Sequence, residues 1–156
     1  MLTRTLLKPF LLGTICALAV FGADNSIGTW KLNVAKSTFS PPPMPVRSLT
    51  TIRTAVNGGV KVVNSGEMAD GTAINSGYSA KYDGSPSSID GTIWDTISVK
   101  QVDDNTFTNE SKKNGGSYHT VAQVKISADG KTMTVTSKGT TAEGKPLNST
   151  FIYEKQ

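Results

Sequence analysis

The sequence predicts an all-β fold: an up-and-down antiparallel meander of about 8–9 strands that closes into a barrel. Three observations carry that reading. From Asp24 to Gln156 the chain holds 16 Ser and 17 Thr, about a quarter of its residues, and Thr favours a pleated, half-buried surface. Turn signals recur at short intervals, at Asn57-Gly58-Gly59, Asp70-Gly71, Asp83-Gly84, Asp90-Gly91, Asp103-Asp104-Asn105, Asn114-Gly115-Gly116, Asp129-Gly130 and Glu143-Gly144; Asn-Gly and Asp-Gly supply the positive φ that tight hairpins need. No stretch after Asp24 keeps an apolar i, i+3, i+4, i+7 stripe over three turns, so the helical alternative has no support.

Between those turns the residues alternate with period two. Residues 28–33 set Trp30 and Leu32 against Thr29, Lys31 and Asn33, and 47–56 carry Leu49 and Ile52. Residues 60–68 set Val60, Val62 and Asn64 against Lys61, Val63 and Ser65. Residues 74–82 place Ile74, Ser76, Tyr78, Ala80 and Tyr82 on one face, and 93–102 place Ile93, Asp95, Ile97 and Val99 on one face. A short strand follows at 106–112 around Phe107. Residues 117–127 align Thr120, Ala122, Val124 and Ile126; 131–137 set Met133 and Val135 against Thr132, Thr134 and Thr136; and 147–154 set Leu147, Phe151 and Tyr153 against Asn148, Thr150 and Glu154. Links of hairpin length give a meander, and closing it removes its exposed edges. A Greek-key sandwich needs long crossings, and only residues 33–45 are long enough for one. That link contains Pro41-Pro42-Pro43-Met44-Pro45, which predicts a stiff, extended segment wrapping one end of the barrel.

Residues 1–23 read as a signal peptide rather than as part of the fold. Arg4 and Lys8 precede an apolar run from Phe10 to Phe21, and small residues follow at Ala19, Gly22 and Ala23, each a candidate cleavage point. The run is short for a membrane span, and bulky Ile15 before Cys16 argues against a lipid-anchor signal. The expected location is therefore exported, periplasmic or extracellular, with residues 24–156 as one domain. After cleavage 14 basic and 12 acidic residues remain, with no Cys. No dense Lys/Arg cluster exists beyond Lys112-Lys113, which disfavours nucleic acid as a partner. The faces rich in Thr, Lys and Asn lack the lipid-facing band of an outer-membrane barrel, so the mature chain is not expected to be an integral membrane protein.

Gly28-Thr29-Trp30-Lys31-Leu32-Asn33, followed by Ala35-Lys36-Ser37 and Phe39, resembles the opening of an uncharacterised family of small secreted bacterial lipocalin-like proteins. Tyr78-Ser79-Ala80-Lys81-Tyr82-Asp83-Gly84, the Asp129–Val135 string DGKTMTV and the ending Tyr153-Glu154-Lys155-Gln156 are similar to that family too. The resemblance implies a calycin-type β-barrel whose Trp30 closes one end, and it implies no catalytic residue.

The chemistry of the sequence points the same way. With one His, His119, on the outward side of its strand and no mature Cys, neither a nucleophilic triad nor a zinc site is expected. The Asp-Gly pairs lack the alternate acids and twelfth-position Glu of a calcium loop. Asp95 alternates with Ile93, Ile97 and Val99: buried there its carboxyl would suit acid–base chemistry, and the other reading turns it outward with Trp94 facing in. The expectation is a non-enzymatic barrel, without a cofactor, that binds a small apolar or amphipathic ligand. The candidate interior is Tyr78, Ile97, Val124, Ile126, Met133, Phe151 and Tyr153, joined by Val99 and Val135, with Ser76 and Thr120 as polar groups and a tyrosine hydroxyl at the rim. An interaction or inhibitor module acting through its loops is the alternative. The sequence leaves the oligomeric state open.

Overall fold

The computed structural model describes residues 24–156; the signal-peptide reading of residues 1–23 lies outside the described residues. Eleven strands form one antiparallel sheet: β1 (Gly28–Leu32), β2 (Thr38–Ser40), β3 (Val46–Val56), β4 (Gly59–Met68), β5 (Ala73–Lys81), β6 (Asp83–Asp90), β7 (Thr96–Asp103), β8 (Thr106–Lys112), β9 (His119–Ile126), β10 (Thr132–Thr140) and β11 (Pro146–Lys155). Each strand from β3 to β11 pairs with the next, β1 pairs with β3, and β1 also pairs with β11, which closes a ten-stranded barrel. No sandwich forms.

The alternation that predicts the strands also sets their faces. β9 alternates exposed and buried residues from His119 to Ile126 without a break. Closure registers Trp30 with Lys155 and Leu32 with Tyr153, which puts the inward residues of the first and last strands side by side. β1 and β2 share one edge of β11: β1 takes its C-terminal half and β2 pairs Thr38, Phe39 and Ser40 with Thr150, Ser149 and Asn148. Between them lies a 3-10 turn, Val34–Lys36, capped by the Asn33 side chain. Ser37 fills the gap in the ladder, its Oγ accepting from Ile152 N at 3.0 Å and donating to Asn33 O at 2.7 Å.

Four details depart from the sequence reading. The strand count is higher than 8–9, because β2 and β6 are strands too. β6 has no alternating apolar signal: it reads Asp-Gly-Ser-Pro-Ser-Ser-Ile-Asp, and only Ile89 is buried. It survives as a strand because it borrows order from β7, to which it pairs through Pro86, Ser87 and Ser88. The strand predicted at 93–102 starts at Thr96, and Ile93 is 59% exposed; Gly91 and Thr92 turn the chain, with Thr92 Oγ1 donating to Trp94 O at 2.6 Å. The proline link bends at residues 41–43 instead of running straight, since β2 anchors its start on β11.

The end of the barrel built from the β3–β4, β7–β8 and β9–β10 turns is a sealed floor. Trp30 is fully buried there, its Nε1 donating to Ser26 O at 2.8 Å. Lys155 lies over its ring at 5.0 Å and donates to Asn25 O at 3.1 Å. Gly28 takes φ +133, and a Cβ there would press on the Lys155 side chain, so glycine lets that cation–π contact form. Asn25 ties the lead segment to Asn105 at 3.0 Å. Truncating Trp30 to Ala should therefore cost about 3–5 kcal/mol, read as a lowered urea midpoint; an unchanged midpoint would remove Trp30 from the structural core.

Candidate functional site

Alternation brings inward side chains from every barrel strand into one space, and their chemistry is graded along it. Near the floor the lining is apolar and tightly packed: Trp30, Val60, Val99, Phe107, Val124 and Met133 are all at or below 2% exposure. Towards the opposite end it becomes small and polar. Asn64 sits between Thr51 and Ser76 in the register, accepting from Thr51 Oγ1 at 2.8 Å and donating to Ser76 Oγ at 3.1 Å. Across the barrel, Asn109, Ala122, Ser137 and Ser149 follow one another on neighbouring strands. Eight strands give an interior that side chains just fill, and the diameter grows with strand number. Ser, Ala and Asn at these positions fill less of a ten-stranded interior than Leu or Phe would.

The sequence-selected residues converge here. Ile97, Val99, Val124, Ile126, Met133 and Tyr153 belong to one buried cluster, and Tyr78, Val135 and Phe151 pack against it. Ser76 and Thr120 also face inward. Both tyrosine hydroxyls lie within the interior rather than at its rim. Burial pushes the Tyr78 phenol up, with Arg53 beside it opposing that shift. Burial also raises the Tyr153 phenol, and the neighbouring Tyr78 adds to the effect, against Thr51 and Arg53.

Arg53 is the residue the sequence reading missed. Leu49 and Ile52 lie three apart and cannot share a strand face. The strand chooses Leu49, Thr51 and Arg53 as its inner row and leaves Ile52 44% exposed. Arg53 is 5% exposed, its guanidinium 5.8 Å from the centre of the Phe107 ring. The ion pairs of the described residues are Lys36–Glu154, Arg47–Glu67, Lys112–Glu110, Lys113–Asp95 and His119–Glu110, and none of them includes Arg53. Residues 1–23 contain no acid that could supply a partner. Arg53 Nε has no hydrogen-bond partner among the described residues, and neither do the buried Asn109 Oδ1 and Trp94 Nε1.

Other candidates resolve differently. Asp95 leaves the apolar face: it accepts from Asn114 N at 3.0 Å and pairs with Lys113 at 3.3 Å. The Asn114 backbone bond is the largest influence holding its carboxyl below the usual range, the opposite of a poised general acid. Trp94 turns towards the core in its place and stacks on Tyr118 at 4.9 Å. His119 is exposed and meets Glu110 at 2.8 Å. Asp83, Asp103 and Asp129 each accept a backbone N–H two residues on, which makes them turn caps.

The barrel wall is thinnest between β5 and β6, which share only the pairs Gly77–Asp90 and Tyr78–Ile89. Gly91 (φ +75) pins one end of this seam, where a Cβ would collide with the Asn75 carbonyl. At the other end Tyr82 spends its N–H on Gly58 O and its carbonyl on Gln101 N. A cleft of about 550 Å³ lies along the seam, lined by Val62, Tyr78, Ser87 and Ser88 among others. A second cleft, of about 500 Å³, lies where β1 and β3 part beyond the Lys31–Thr50 pair, around Leu32, Arg47 and Leu49.

No family model and no curated protein matches the sequence. Two solved structures are similar in fold. One, described as an S-type phycobiliprotein lyase, CPES, from Guillardia theta, aligns with a TM-score of 0.53 at 12% identity, over 87% of this chain and 90% of that one. The other, described as EF1p2_mFAP2b bound to DFHBI, aligns with a TM-score of 0.48 at 12% identity, over 86% of this chain and 96% of that one. At that identity the first likeness concerns the fold alone.

Two outcomes follow. A buried cation without an acid partner is costly, so Arg53→Met should raise the unfolding free energy of the ligand-free protein by about 1 kcal/mol or more; a destabilised variant would mean that Arg53 serves packing. The Tyr82 phenol is pushed up to about 12 by burial and by its bond to the Asp24 carboxylate. The folded state keeps a proton that the unfolded chain loses near pH 10, so stability should fall as pH rises from about 10 to about 12. Tyr82→Phe should flatten that fall, as read by denaturant midpoints across the range.

Proposed function

We propose that this chain is an exported, lipocalin-like barrel that binds a small apolar or amphipathic molecule inside, without catalysing a reaction on it. One observation carries the reading. The interior holds buried polar atoms without partners, Arg53 Nε beside the apolar floor lining and Asn109 Oδ1 in the small, polar half. Buried polar atoms are nearly always paired, and a barrel serving only as a scaffold would fill such positions with aliphatic side chains. The ten-stranded closure and the small residues in the half away from the floor supply the room. Tyr78, Ile97, Val124, Ile126, Met133, Phe151 and Tyr153 form the apolar contact surface. The apolar leader supports export, and the Gly28-Thr29-Trp30 opening, with its Trp at the floor, supports the lipocalin-like assignment.

A second reading rests on a different feature. Ile52 and Val63 are cross-strand neighbours on the outer face, 44% and 43% exposed. An exposed apolar pair in mid-sheet suits a protein partner.

An apolar fluorescent probe separates the two. It should bind the native protein at about one equivalent, and Val124→Trp, which fills the interior, should abolish binding while the circular dichroism spectrum stays all-β. Binding that survives Val124→Trp but is lost on Ile52→Lys would move the site to the outer face.

A further inference from the structure

We propose that the interior ligand carries a single acidic group, a carboxylate on an apolar body, and that Arg53 is the residue that binds it. This deepens the interior-ligand reading and rests on it.

Arg53 is a permanent cation that is 5% exposed, and its Nε donates to nothing among the described residues. No acid of the chain pairs with it, as its surroundings make plain. Gly28 and Val62 flank it on β1 and β4. Phe107 lies at cation–π distance across the interior, and Tyr78 stands beside it with a phenol that burial keeps protonated. Asp24, whose carboxylate accepts from the Tyr82 hydroxyl, forms no ion pair with Arg53. Cation–π attraction offsets only part of the desolvation of a guanidinium. The missing component is one negative charge.

The geometry of the donors selects the anion. A guanidinium presents parallel N–H groups that match the two oxygens of a carboxylate, and the neutral hydroxyls of Tyr78 and Tyr153 can donate to the same group. One cation among neutral phenols balances one negative charge, whereas a phosphate monoester brings closer to two. Arg53 lies on the floor side of the polar Thr51–Asn64–Ser76 row, so the acid enters first. The apolar body then packs along Val124, Val135 and Phe151.

Calorimetric titration of the protein with dodecanoate, dodecanol and dodecyl phosphate tests this, with the apolar probe run in parallel. Dodecanoate should bind about one equivalent and about 10- to 100-fold more tightly than dodecanol, the range of a hydrogen-bonded charge in a buried site. Arg53→Met should bring dodecanoate to the level of dodecanol while the probe still binds. Tyr78→Phe, which keeps the ring, should weaken dodecanoate and leave dodecanol unchanged, and this supports the proposal even where the Arg53 variant folds poorly. Equal affinity for acid and alcohol in the native protein overturns the proposal and leaves the apolar-ligand reading standing. Retention of acid preference in a folded Arg53→Met does the same. Tighter binding of dodecyl phosphate than of dodecanoate overturns the carboxylate assignment. Failure of every ligand and of the probe overturns both readings.

Discussion

Pairing of the first strand with the last is the constraint on which the rest of this structure depends. Trp30, Lys31 and Leu32 meet Lys155, Glu154 and Tyr153 across that seam. Without it, β1 and β11 would each present unpaired amides, and the sheet would have no inside. With it, every inward side chain is forced into one enclosed space. The pairing also fixes the floor. Lys155 reaches the Trp30 ring because their backbones are in register, and the same lysine holds the Asn25 carbonyl of the lead segment. Closure is completed economically by β2 and Ser37, which satisfy the part of β11 that β1 is too short to reach.

Closure is also what makes Arg53 unusual. On an open sheet its long side chain could swing into water and its charge would cost little. Inside the barrel it has no such path, and the acids of the described chain lie in turns or on the outer surface. The protein therefore carries an electrostatic imbalance on the floor side of the polar Thr51–Asn64–Ser76 row. The β5–β6 seam adds a mechanical weakness next to it, since Tyr78 belongs both to the seam's few pairs and to the surroundings of Arg53. A buried charge and the thinnest part of the wall thus fall in one region of the barrel.

Much of this was legible from residue order. Alternation in 117–127, 131–137 and 147–154 gave the inward faces of β9, β10 and β11, because in those strands most buried residues are apolar and most exposed ones polar, Thr120, Ser149 and Val121 excepted. The placement of Trp30 at a barrel end came from the resemblance carried by Gly28-Thr29-Trp30 and not from alternation. Where the pattern was absent, reading failed. β6 has the composition of a loop and becomes a strand only through β7. Ile93 continued an apolar alternation that the turn at Gly91 in fact breaks.

The sequence by itself determined the class of the fold, because a period-two pattern with Asn-Gly and Asp-Gly breaks has only one regular solution, a hairpin-linked sheet. It also determined most of the apolar lining. The tertiary structure alone decided how many strands close the ring, which face of β3 turns inward, and that a guanidinium without an acid partner is buried near the floor. The physical reason is that hydrophobic patterning reports only where apolar residues go. It says nothing of a polar residue carried inward by its neighbours on a strand, and Arg53 is buried by the register of Trp30, Thr51 and Asn64 rather than by any preference of its own.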